Sequence, residues 1–173
     1  MLRRSGLRSK VIGKHLQAHP GVSMAGLFDR PMTMDFGAAQ GFNSLHFLAE
    51  DRIKLETLLL PPELVIARLP GVGPELYERI ANYERIATWA VVNRMEAEGE
   101  VNSEVFGFER VSFTPTKRDM ERARKGLRVL AELMFDLGAR EVYPGAHGMP
   151  AVMKRDQMAL WDDAPTDPRA RCG

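Results

Sequence analysis

The stretch "TPTKRDMERARKGLRVLAELMFDLGAREVYPG", Thr114 to Gly145, constrains the fold more than any other. Met120, Ala123, Leu127, Leu130, Met134 and Leu137 recur at steps of three and four, which places one apolar stripe along a helix. Thr116 with Asp119 three residues on has the form of a capping box, with aspartate where glutamate is usual. Gly138 falls where a C-terminal cap belongs. The spacing therefore predicts a helix over 117–137. Glu121 with Lys125, and Arg128 with Glu132, are opposite charges four apart and mark the solvated side. "REVYPG" reads as a short strand leaving the helix.

The remainder of the chain is rich in strand signals. "SMAGLFDR" (Ser23 to Arg30) reads as a strand ended by Pro31, and "PMTMDFGAAQG" after it has no steady period and reads as a loop. "FNSLHFLAE" and "IKLETLLL" read as two antiparallel strands joined by Glu50-Asp51-Arg52, the second stopped by Pro61-Pro62. "ELVIARLPGVGPELYERIANYERI" is mostly helical, divided by Pro70-Gly71-Val72-Gly73-Pro74, and Pro74 suits a first helical turn. "ATWAVVNRME" is a further strand, "GEV" turns into another, and "FGFERVSFTP" alternates at Phe108, Val111 and Phe113. Four to six strands at hairpin-like spacing predict an α+β fold: an antiparallel sheet flanked by helices. The tail from residue 161 to 173 lacks an apolar period and is expected to be poorly ordered.

Composition narrows the function classes. At 173 residues, 45% apolar and 27% charged, the chain is long enough for one domain with a core. A net charge of +1 argues against a nucleic-acid partner, which usually meets a concentrated basic excess. The single cysteine, Cys172, allows no internal disulfide and fits a reducing, cytoplasmic compartment. No window approaches the ~18 uninterrupted apolar residues of a membrane span. "MLRRSGLRSK" is basic, but no apolar run follows it as in a secretory signal.

The four histidines are the residues best suited to chemistry. His15 and His19 in "VIGKHLQAHPG" stand four apart, the spacing of a zinc pair on a helix. Gly13 precedes them, and Pro20 disfavours the helical region at His19, so a loop without metal is expected. His46 lies between Leu45 and Phe47 in the expected strand, pointing away from both. His147 sits in the loop "YPGAHGMP". Neither has an obvious acid or nucleophile as partner, so a loop or surface histidine is expected at both. There is no G-x-S-x-G, no G-x-G-x-x-G after a strand, and no phosphate-binding lysine loop. The residues by themselves assign no catalytic group.

Taken together, several segments resemble one lobe of the glucose-methanol-choline (GMC) oxidoreductases, a family of FAD-dependent alcohol oxidases and dehydrogenases. "LRRSGL" is similar to the tail of the family's second signature, and "VIGKHLQAHPG" to the V-G-x-N-L-x-x-H-P loop that follows it. "LFDRPM…GAAQGFNS", "LPPELVIARLPGVG" and "RDMERARKGLRVLAELMFDLGAREVYPG" continue in the family's order. The resemblance implies a substrate-binding domain over 22–160, preceded by an interdomain loop segment over 1–21. It implies an alcohol substrate and FAD as cofactor, with hydride passing from the carbinol carbon to the flavin. The chain begins after the FAD fingerprint and stops before the family's catalytic H-x-x-G-T-like segment. FAD is therefore expected to be held mainly by a domain absent from this chain, which a partner chain would supply, and the chain alone is expected to be inactive. His19 matches the loop's histidine and is expected near the flavin, whereas His15 replaces the usual asparagine. Gln40, Asn43, His46 and Trp89 are the candidates for lining the substrate pocket, with core packing the competing role of Trp89. The alternative function is a non-enzymatic α+β module that binds a small apolar ligand or a partner chain.

Overall fold

In the computed structural model, residues 5–32, 37–105 and 108–167 are described. The first residues of "LRRSGL", part of the loop after Pro31, and the end of the tail with Cys172 lie outside them. Strand β1 (Gly21–Phe28) is an inner strand of an antiparallel sheet. β2 (Asn43–Ser44), helix α1 (Leu48–Asp51) and β3 (Ile53–Leu58) follow. Helices α2 (Pro62–Ile66) and α3 (Pro74–Ala81) come next, then β4 (Ile86–Asn93), β5 (Glu100–Val105) and β6 (Phe108–Ser112). Helix α4 (Lys117–Asp136) and β7 (Ala139–Tyr143) complete the order, with a 3-10 turn over Arg155–Trp161. Five strands pair as β2-β3-β4-β1-β7, and β5 with β6 forms a separate ribbon. The α+β fold with one antiparallel sheet and a long helix is thus present.

Helix α4 lies across β4, β1 and β7 because its stripe matches one face of the sheet. Strand residues alternate sides, so Met24 and Phe28, Ile53 and Leu55, Ala87 and Val91, and Val142 meet Leu127, Leu130, Ala131 and Met134 in one core. Gly126 lets the helix approach closely, since a Cβ there would stand 2.5 Å from a Val91 methyl. The stripe differs from expectation at its end. Ala131 and Phe135 are buried, whereas Leu137 caps the helix and is 55% exposed. The capping box forms: Asp119 N donates to Thr116 Oγ1, and Thr116 N to Asp119 Oδ2. Asp119 also accepts from Glu96 N at 2.8 Å and Ala97 N at 3.2 Å, which ties the 96–97 turn to the helix start. Gly138 takes the left-handed conformation, φ 94°. Arg128 pairs with Glu132 as expected, but Lys125 reaches Asp51 at 2.6 Å instead of Glu121.

The strand expected over "FNSLHFLAE" is not formed. Only Asn43 and Ser44 pair with β3, after which the chain turns into α1. Ser44 Oγ accepts from His46 N, and Leu48 N donates to Leu45 O, local bonds that replace a ladder. Phe42 and Leu45, apolar residues of that expected strand, are exposed. Trp161 and Ala164, in the segment read as tail, join the core against α4, and Arg124 donates to Ala164 O. The loop carrying His15 is not helical. Leu16 and Gly99 exchange backbone bonds at 2.9 and 2.7 Å, and Val101 N donates to Gly13 O.

Candidate functional site: a trough on the sheet face opposite the long helix

The face of the sheet turned away from α4 carries small residues where a core would carry large ones. Along β1 these are Gly21, Ser23 and Ala25, at every second position. The register sets two rows across them. Ala25 stands between Thr88 of β4 and Tyr143 of β7, and Ser23 lies opposite Ala90, which in turn faces Glu56 of β3. Helices α2 and α3 cover one end only, where Val65 and Leu69 pack on Ala25, Ile86 and Tyr143. Beside that cover, a trough of about 390 Å³ is lined by Ser23, Ala25, Thr88, Val65, Arg68 and Tyr143 among others. Its size falls in the ~300–1,000 Å³ range of small-molecule sites.

The polar groups of the trough fall into two kinds. The Tyr143 hydroxyl donates to Glu141 at 2.7 Å, and the Arg79 guanidinium sits 5.7 Å from its ring centre. Burial, followed by the hydrogen bond to Glu141 and its charge, raises the phenol well above its ordinary range. Tyr143 therefore stays protonated and is unsuited to act as a base. The Thr88 hydroxyl is buried and has no hydrogen-bond partner among the described residues. A buried hydroxyl without a partner costs free energy unless a ligand or water meets it, so it is a ready group for an oxygen placed in the trough.

The sequence candidates divide. Gln40 donates to Glu56 at 3.3 Å, and Asn43 lies opposite Glu56 in the register, so both gather at the β2–β3 side of this face. Glu56 itself is buried and paired with Lys54 at 2.6 Å. His46 is exposed beyond β2, edge-on to Phe47 at 4.7 Å. Trp89 belongs to the opposite face and packs against the core under α4. Neither of these two lines the trough. His19 is exposed and lines a separate cavity beside Arg52 and Arg94. His15 contacts Glu98 through Nδ1 and has φ 57°. His147 lies near Trp161 on the α4 side. Among the described residues no group of His, Cys, Asp and Glu is arranged to hold a metal, and no helix is long and apolar enough to cross a membrane. Ser23, Ala25, Thr88 and Tyr143 were not singled out from sequence. The legible signal was the small residue at every second position of "GVSMA".

Comparison with known proteins bears on what this face serves. No protein-family model matches the chain. A GMC-type oxidoreductase of Mycobacterium tuberculosis is 31% identical over 151 residues, which make up 87% of this chain and 24% of that protein. Two long-chain-alcohol oxidases of Arabidopsis thaliana are each 30% identical. They match 82% and 83% of the chain, and 19% and 20% of their own length. The chain thus spans about a quarter or less of the curated relatives it matches. It belongs, as the counterpart of one stretch of these longer proteins, to the GMC oxidoreductase family.

Proposed function

We propose that this chain is the substrate-binding part of an FAD-dependent GMC oxidoreductase that oxidises the CH–OH group of an alcohol, hydride passing to the flavin. The trough carries the reading: small residues leave room for an alkyl chain beside Ala25 and Val65, and the unpartnered Thr88 hydroxyl, with Ser23, suits its oxygen. The names of the Arabidopsis relatives support an alcohol as the substrate class. Ala25 and Val65 receive the chain of the substrate, Ser23 and Thr88 orient its oxygen, and Gln40 and Asn43 rim the face at Glu56.

The described residues do not build a dinucleotide cradle. Gly71 and Gly73 lie between α2 and α3 rather than between a strand and a helix. In this reading FAD is held by a domain outside these residues, in the same or a partner chain, with His19 toward it. This chain receives and orients the alcohol, and by itself turns nothing over.

Titrating the purified chain with a medium-chain primary alcohol while recording amide NMR spectra tests the reading. Shifts should concentrate at Ser23, Ala25, Thr88 and Tyr143, and Ala25→Phe should abolish them. Shifts confined to other surfaces would refute the trough. Flavin absorbance that bleaches with alcohol on the chain alone would refute the need for another domain.

A further inference from the structure

A second cavity, of about 450 Å³, opens at the end of the sheet where β3 starts and β4 ends. Its wall includes Gln17, His19, Arg52, Arg94 and Glu96. Arg52 is left-handed, φ 59°, and its carbonyl accepts from Arg94 N at 2.9 Å, so the two arginine-bearing turns are joined through their backbones. Glu96 is the only carboxylate of this wall, and it is already shared. Arg122 stands at 2.8 Å from it, Arg52 at 3.5 Å and Arg118 at 3.6 Å. The nearby Asp119 directs its oxygens at backbone N–H groups. The wall itself therefore carries two guanidinium groups and one carboxylate, and Arg122 and Arg118, which do not line the cavity, engage that carboxylate. The Arg94 side chain is exposed and makes no ion pair or hydrogen bond among the described residues.

We propose that this cavity binds a phosphate-class dianion, with Arg94 and Arg52 as its direct ligands and His19 and Gln17 as further donors. Two guanidinium groups on two adjoining segments offer more N–H donors than a single fork. That arrangement suits a tetrahedral oxyanion with several acceptor oxygens, whereas one planar fork is enough for a carboxylate. Arg122 holds Glu96 at closer range than Arg52 does, which leaves the two guanidinium groups of the wall for the two charges of a dianion. The site lies apart from the trough and shares only His19 with the side turned toward the flavin in the reading above; its phosphate binding is tested on this chain without flavin. It gives "VIGKHLQAHPG" a chemical role through His19 and Gln17 that needs no metal.

Isothermal titration of the full chain with inorganic phosphate, at neutral pH and low ionic strength, tests the assignment. One-to-one saturable binding is expected, methyl phosphate should bind alike, and acetate at least about tenfold more weakly. Arg94→Gln and Arg52→Gln should each weaken phosphate by about tenfold or more. Far-UV circular dichroism checks that each variant is folded, and Arg140→Gln on β7 should bind as the parent does. No saturable binding overturns the proposal, as does an unchanged affinity in folded Arg94→Gln or acetate binding as tightly as phosphate.

Discussion

Replacing Asp119 with alanine should cost about 3 kcal/mol, although only one short side chain is removed. The carboxylate is 1% exposed and accepts from Glu96 N at 2.8 Å, Thr116 N at 2.9 Å and Ala97 N at 3.2 Å. Loss of the capping interaction at the start of α4 contributes ~1 kcal/mol. Ala97 is buried, so its orphaned N–H adds ~2 kcal/mol, whereas the exposed Glu96 and Thr116 can turn to water. With an m-value of ~1–3 kcal/mol/M, the urea midpoint should fall by roughly 1–3 M at unchanged m. The dependence on pH is a second readout. Burial alone would raise the Asp119 carboxyl, but the N–H groups of Glu96, Thr116 and Ala97 and the Thr116 hydroxyl outweigh it and hold the group below the usual carboxylate range. A lowered folded-state value means that the stabilisation is complete above the unfolded value of ~3.9 and is lost as pH falls through the folded value. The stability gap between the parent and Asp119→Asn should therefore be widest above about pH 5 and shrink as the solution is acidified below ~3.9. A loss under about 1 kcal/mol for Asp119→Ala, or a gap that is constant with pH, would refute this account of the carboxylate.

Three further outcomes follow from the packing. Gly126→Ala should destabilise by ~1–2 kcal/mol although helix propensity favours alanine by ~1 kcal/mol, because the new methyl meets both γ-methyls of Val91. Val91→Ala in the same chain should recover part of that loss in a double-mutant cycle by chemical denaturation. Trp161→Ala should cost ~3–5 kcal/mol by the same assay, since the ring is 2% exposed in the core under α4. A spectrophotometric titration should show one phenol ionising well after the ordinary ~10, and Tyr143→Phe should remove that late step.

Helix α4 was legible because each local signal agreed with the tertiary outcome: the stripe, the Thr116–Asp119 box and Gly138 all specify the same element. "FNSLHFLAE" misled because its apolar residues alternate only loosely, Phe42 and Leu45 stay in solvent, and short-range bonds at Ser44 prevailed. Lys125 forsook its helical neighbour for Asp51, 74 residues away, a contact that no window of sequence contains. The trough was hidden for a related reason. Thr88 and Tyr143 become neighbours only through Ala25 between them, and that register follows from strand order rather than from either strand's composition.

The two borders of the main sheet limit how this chain can meet another polypeptide. On one side β2 is two residues long, and beyond it Thr57 N donates to Phe42 O and Leu59 N to Ala39 O, so the outer backbone of β3 is occupied. On the other, Val142 of β7 exchanges bonds at 2.9 Å with Met153 on the side not taken by Gly26. Neither border offers a long row of vacant amides, the template on which foreign strands add. Strand addition to the main sheet is disfavoured, and a partner that meets this sheet has to do so through its faces.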